Sequence, residues 1–163
     1  MGKLVQMSEH TGKINTSDLA KKINDPVSIK DWIPTGSRWL DCSIKPGQLA
    51  GIPVGRITEL AGLSRSGKSF MALQIAANAQ KKGMYVVYFD AESALSNDFM
   101  IKAGVDINNI LYQSAISVEK TLETIEYVME NYGQARVLFI WDSIAATPSE
   151  KDVEGDFNPQ SSM

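Results

Sequence analysis

One cysteine, Cys42, and one histidine, His10, are all that this 163-residue sequence holds of those residue types. A lone cysteine excludes an internal disulfide. A lone histidine in a polar N-terminal stretch, with no partner at ligand spacing, reads as a solvated surface residue and not as a metal ligand or base. No apolar run approaches the roughly 18 residues of a membrane span. Residues 1–15 lack the apolar core of a secretory signal, so the expectation is a soluble, cytoplasmic protein with no membrane partner. Basic charge is also short: 16 Lys and Arg against 19 Asp and Glu leave a net charge of −3 and a pI near 5.2. The basic residues Lys21-Lys22, Lys30, Arg38 and Lys81-Lys82 are scattered, so a nucleic-acid surface would have to be local or supplied by assembly. Gly47, Gly51 and Gly55 do not make a G-x-G-x-x-G fingerprint, and no N-K-x-D guanine signature occurs.

A hydrophobic content of 44% in this length fits one globular domain with a sizeable core. The stretch that carries the most chemistry is Gly62-Leu63-Ser64-Arg65-Ser66-Gly67-Lys68-Ser69, which fits the phosphate-loop pattern G-x-x-x-x-G-K-[ST]. Arg56–Ala61 before it reads as a short strand, and Phe70–Lys82 after it as a helix stopped by Gly83. Such a turn aims backbone N–H groups and the positive end of the helix dipole at one place, which suits a triphosphate. Gly62 and Gly67 permit positive φ and close backbone approach, Lys68 can reach the β- and γ-phosphates, and Ser69 offers a hydroxyl to Mg²⁺. The plain alternative is a serine-rich turn capping a helix.

Upstream, residues 1–32 read as an N-terminal arm with a short capped helix over 16–23. Residues 33–55 are rich in Pro, Gly and turn signals, with Trp39-Leu40 as buried anchors. Downstream, Met84–Phe89 has the near-continuous apolar pattern of a parallel strand buried on both faces, and it ends in Asp90-Ala91-Glu92. A short helix is expected over 97–103, a weak strand over 109–113, and a helix over 117–131 whose inner stripe is Leu122, Ile125, Val128 and Met129. Val137–Ile140 then forms an apolar strand leading to Trp141-Asp142-Ser143. This is the Walker B pattern, a carboxylate at a strand end that holds magnesium. The expected class is therefore α/β, a P-loop NTPase with a mostly parallel sheet flanked by helices. Ligands of such sheets lie beyond the carboxyl ends of the strands, where the loop, Asp90/Glu92 and Asp142 would meet. Glu92 is preferred to Asp90 as the general base that orients a water; a solvated loop carboxylate is the alternative.

Several stretches together closely resemble the RecA family of homologous-recombination ATPases. They are Pro34–Asp41, Gly55-Arg56-Ile57, Gly62–Ser69, Phe89–Leu95, Gly104-Val105-Asp106 and Trp141–Ala146. The likeness runs in family order from about Ile33 to Met163, so residues 33–163 are expected to be a partial core of RecA type. The resemblance implies ATP and Mg²⁺ as cofactors, with Gly62 to Phe70 around the phosphates, Lys68 and Glu92 catalytic, and Ser69 and Asp142 on the metal. It places Phe99 against the adenine, where the family has tyrosine; a core role for Phe99 is the alternative. It implies single-stranded DNA as partner and a homo-oligomeric filament. The family pattern continues past Met163, so the expectation is a core truncated on its C-terminal side, with a sheet strand missing between the loop strand and the Walker B strand. Two other readings stay open: a RecA-fold ATPase without strand exchange, of helicase or regulator type, and a non-catalytic nucleotide-binding fragment. The stretch Asp152–Gly155 matches the D-x-x-G of GTPases but comes after a polar segment, and residues 147–163 have the composition of a disordered terminus.

Overall fold

The computed structural model describes residues 29–155. The chain divides into two units, Met1–Lys30 and Asp31–Met163, and every described helix and strand belongs to the second. The expected helix over 16–23, His10, and the tail beyond 155 lie outside the described residues.

The elements in order are β1 (Trp32–Ile33), α1 (Arg38–Ile44), β2 (Ile52–Pro53), α2 (Lys68–Lys81) and β3 (Tyr85–Asp90). Next come α3 (Asn97–Lys102), a 3-10 turn (Ile107–Asn109), β4 (Ile110–Ser114), α4 (Val118–Asn131), β5 (Val137–Asp142), a 3-10 turn (Ile144–Ala146) and α5 (Glu150–Gly155). The main sheet is parallel, in the order β4-β3-β5. Strand β3 is central because its sequence can be buried on both faces: Val86 through Asp90 are all buried.

Side chains alternate along these strands and so separate two cores. Val86 and Tyr88 of β3, with Ile110 and Tyr112 of β4 and Leu138 and Ile140 of β5, pack with Leu73, Ile75 and Ala76 of α2. Val87 and Phe89, with Val137, Phe139 and Trp141, face the other way, onto Ile125 of α4. Helices thus flank a parallel sheet, as expected for the α/β class. The alanine-rich α2 propagates well and packs closely on the sheet. It stops at Gly83 (φ +70°), which continues into the bonds Gly83 N to Gln80 O and Met84 N to Ala79 O. Near its end the Gln80 amide accepts from Asp106 N at 2.9 Å and donates to Asp106 O and Asn109 O at 2.9 and 3.1 Å. The last turn of α2 is thereby tied to the start of β4, and its first turn points to the opposite, carboxyl edge of the strands.

Five expectations are corrected. Arg56–Ala61 forms no strand: only Leu60 in it packs on the core, and Ile57 is fully exposed. A strand exists through its ladder, and among the described residues no strand flanks this segment or the outer side of β5. The 33–55 region holds a short β1-β2 pair and helix α1, capped by Ser37, where loop was expected. Within it Trp39 is 81% exposed and is no buried anchor. The stripe on α4 is narrower than its period implies, because a three-stranded sheet offers little surface. Ile125 reaches it, whereas Leu122 and Met129 are exposed. Residues Glu150–Gly155 are helical, where a disordered tail was one reading.

Two features hold the front of the unit. Gly51 (φ +93°) lies so close to β1 that a Cβ there would sit 2.1 Å from the Ile33 carbonyl oxygen. Asp31, ahead of β1, pairs with Lys82 after α2 at 2.7 Å and with Arg136 before β5. The Lys82 hydrogen bond, then that of the Trp32 amide, holds the Asp31 carboxyl below its ordinary value. We expect Gly51→Ala to lower stability by roughly 2 kcal/mol or more, from left-handed strain and backbone overlap, read as a lower urea midpoint. We expect Asp31→Asn to cost about 1 kcal/mol or less, since the pairs are half-exposed. Because the folded pKa is lowered, that contribution is present above pH about 4 and vanishes as pH falls through the folded value. Thermal melts of the two proteins should therefore separate at pH 7 and draw together as pH falls below about 4.

Candidate functional site

The 62–69 loop leads directly into α2, and its shape comes from two left-handed residues, Arg65 (φ +62°) and Gly67 (φ +92°). Of the two properties expected of Gly62, it uses close approach and not positive φ: a Cβ there would meet Ser66 Oγ at 2.9 Å. Lys68 Nζ donates to the Gly62 and Leu63 carbonyls at 3.0 Å each, which keeps the ammonium against the loop. Lys68 and Ser69 are half-buried, whereas Leu63, Ser64, Arg65 and Ser66 are exposed. Helices α1, α3 and α4 each begin with a serine whose Oγ accepts a first-turn amide. By contrast α2 is preceded by Gly67 at its capping position, and no side chain caps it. Its first-turn amides therefore remain available to an anion.

At the strand ends, register pairs Asp90 with Asp142, so the two carboxylates stand at one level on the sheet face that α2 covers. Asp90 is buried and holds the turn after β3. It accepts from Glu92 N at 2.9 Å, Leu95 N at 3.2 Å and the Tyr112 hydroxyl at 2.6 Å. Such a carboxylate is fully engaged and is not placed to accept a proton from water, whereas Glu92, two residues on, is exposed. Asp142 is half-buried, with Oδ2 accepting from the Tyr88 hydroxyl at 2.9 Å. Burial, and then the charge of Asp142, raises the Tyr88 pKa. Burial and the bond to Asp90 push Tyr112 up to about 12, so both phenols remain donors. Beyond β5 the peptide Asp142-Ser143 is cis. Trp141 Nε1 donates to Thr147 Oγ1, which donates to Ser143 O, and this pins the segment after the strand.

Phe70, in the first turn of α2, meets Phe99 of α3 with ring centroids 6.0 Å apart. Phe99 is therefore a part-exposed ring beside the helix that leaves the loop, outside the buried core. Loop, Phe70 and Phe99 are brought to the carboxyl edge of the sheet together with Asp90 and Asp142. No side-chain hydrogen bond or ion pair joins Glu92 or Asp142 to Lys68 or Ser69 among the described residues. Neither tyrosine at the carboxylates was singled out by sequence reading. The available signal was the Tyr88-x-Asp90 spacing, which puts both side chains on one face of a strand.

The donor set suits a magnesium nucleotide. Mg²⁺ is commonly held by one or two protein oxygens together with phosphate oxygens, and the Ser69 hydroxyl and Asp142 carboxylate are oxygens of the kind it takes. Among the described residues there is no cluster of three or more His, Cys, Asp or Glu side chains able to hold a metal by itself. No helix among them is long and apolar enough to cross a membrane.

A parallel sheet flanked by helices, with a glycine-containing loop leading into α2, defines an α/β class of domain. The family model described as the RecA N-terminal domain matches residues 3–163, and the chain belongs to that family. It is 35% identical over 94% of its length to Protein RecA of Streptomyces coelicolor, and 37% identical over the same share to that of Bifidobacterium breve. An Arthrobacter Protein RecA is 35% identical over the same share. The chain spans only 39%, 37% and 41% of those three proteins respectively.

Removing the Asp90 carboxylate by Asp90→Ala should cost about 3 kcal/mol, because it strands the Tyr112 hydroxyl and frees two amides of the turn that carries Glu92. The urea midpoint measures this. A midpoint equal to that of the parent chain would show that the cluster does not hold the turn.

Proposed function

We propose that this chain forms the nucleotide-binding portion of an ATP-dependent DNA recombinase. Such a protein pairs and exchanges strands on single-stranded DNA and assembles as a filament of identical subunits. The observation that carries the reading is the family match across residues 3–163, joined to an uncapped loop-helix of phosphate-binding pattern beside the carboxyl edge of the sheet. Bound magnesium would neutralise phosphate charge and polarise the γ-phosphoryl group. The loop amides and the N-terminus of α2 would bind the phosphates, while Lys68 exchanges its two carbonyl partners for phosphate oxygens. Ser69 and Asp142 would hold the metal, and Glu92 would orient the attacking water. Phe99 would offer a ring face to the base, which a phenylalanine supplies without a hydroxyl. DNA binding and assembly are proposed from family membership alone.

A second reading, nucleotide binding without turnover, is favoured by one observation: Glu92 is exposed, and among the described residues no side chain orients it.

Thermal melts with and without MgATP, together with ATP hydrolysis with and without single-stranded DNA, test these readings. Nucleotide at about 100 times its Kd should stabilise the chain by about 2.7 kcal/mol, a rise of several degrees in Tm. Lys68→Ala should lose that rise; Glu92→Gln should keep it and lose hydrolysis. DNA-stimulated hydrolysis supports the recombinase reading, and a Tm rise without hydrolysis supports the second. No Tm rise in the parent chain would sink both.

A further inference from the structure

The two tyrosine–carboxylate bonds share one geometry. Tyr112 pairs in register with Tyr88, and its hydroxyl reaches diagonally to Asp90, two residues further along the neighbouring strand. Tyr88 pairs with Ile140, and its hydroxyl reaches diagonally to Asp142, again two residues further along. Aromatic side chains can span such diagonals on one face of a sheet. The outcome differs between the two carboxylates. The Asp90 carboxylate is also bonded to two amides, whereas the hydroxyl of Tyr88 is the one donor to the Asp142 carboxylate among the described residues.

The Tyr88 ring is immobile enough to act as a reference point. It is fully buried, lies in the core beneath α2, and stacks on Tyr112 with centroids 6.3 Å apart and planes inclined by 25°. Asp142 sits half-buried at a strand end, where an aspartate without a partner would sample several rotamers. We propose that Tyr88 is a positioning residue for Asp142: its hydroxyl anchors Oδ2 and leaves Oδ1 as the oxygen available to a magnesium–nucleotide complex. This rests on the reading of Asp142 given under Proposed function. A phenol suits the task because it is a neutral donor. Lysine or arginine in its place would bond the same oxygen and compensate the negative charge that a cation needs. Carboxylates that serve metals are themselves commonly held by hydrogen bonds of this kind, and loss of such a bond typically weakens metal affinity about 10- to 100-fold.

The test is Tyr88→Phe, which keeps the ring and removes the hydroxyl. Binding of N-methylanthraniloyl-ADP is measured by fluorescence across a magnesium titration and again in excess EDTA. The expected result is a magnesium midpoint raised about tenfold or more, with metal-free nucleotide affinity unchanged. Tyr112→Phe, which removes the matching hydroxyl from Asp90, should leave the midpoint in place and so separates positioning from general loss of stability. If the parent chain responds to magnesium and Tyr88→Phe has the same midpoint, the positioning role is overturned while the site reading stands. If the parent chain binds no nucleotide, or binds it without regard to magnesium, the site reading fails and takes this proposal with it. Should Tyr88→Phe not fold, the parent chain carrying ¹³C-labelled tyrosine decides the matter. Adding magnesium to the ADP-bound form should move the Tyr88 ring resonances more than those of Tyr112, and an unmoved Tyr88 overturns the proposal.

Discussion

Because Tyr85–Asp90 pairs in parallel with both Ile110–Ser114 and Val137–Asp142, three strands end at one level, and the site depends on that. Parallel pairing sends every connection back across a face of the sheet. Helix α2 covers one face and α4 the other. The same alternation that buries Tyr88 under α2 brings Asp90 and Asp142 onto the α2 side. A shift of one residue in the β3–β5 ladder would turn the Asp142 carboxylate toward α4, and one in the β3–β4 ladder would turn the Tyr112 hydroxyl away from Asp90.

The polar groups at this edge are unequal. Asp90 is buried and bonded on all sides, so its charge is spent on holding the turn after β3. The Asp142 carboxylate keeps a single donor among the described residues and is only partly buried. Two identical side chains in register thus acquire different work from their surroundings, one architectural and one available to a ligand. Lys68 shows the same division within the loop, its ammonium satisfied by two loop carbonyls that a phosphate could replace.

Helix ends mark another contrast. Ser37, Ser96 and Ser117 close their helices with hydroxyl caps, which saturate the first turn and make those ends inert. Gly67 leaves the start of α2 without such a cap, next to a loop whose left-handed residues turn the backbone sharply. Of these four helices, the one without a hydroxyl cap is the one preceded by glycine.

Much of this was legible in residue order. Local patterns set α2, β3, α4 and β5 to within a residue or two, because apolar period, serine caps and a stop glycine all act over a few positions. The loop motif and the acids at the strand ends were visible for the same reason. The strand expected at 56–61 was not decided locally: a strand needs a partner, and its own residues cannot supply one. Nor was the exposure of Trp39, Leu122 and Met129, since burial depends on whether another element arrives to cover them. Residue order therefore settles the family, the helices and the chemical groups available. Which of those groups meet is settled only in three dimensions, because the bonds from Tyr88 to Asp142, Tyr112 to Asp90 and Asp31 to Arg136 join residues far apart in the chain, and strand register and packing alone bring them within reach.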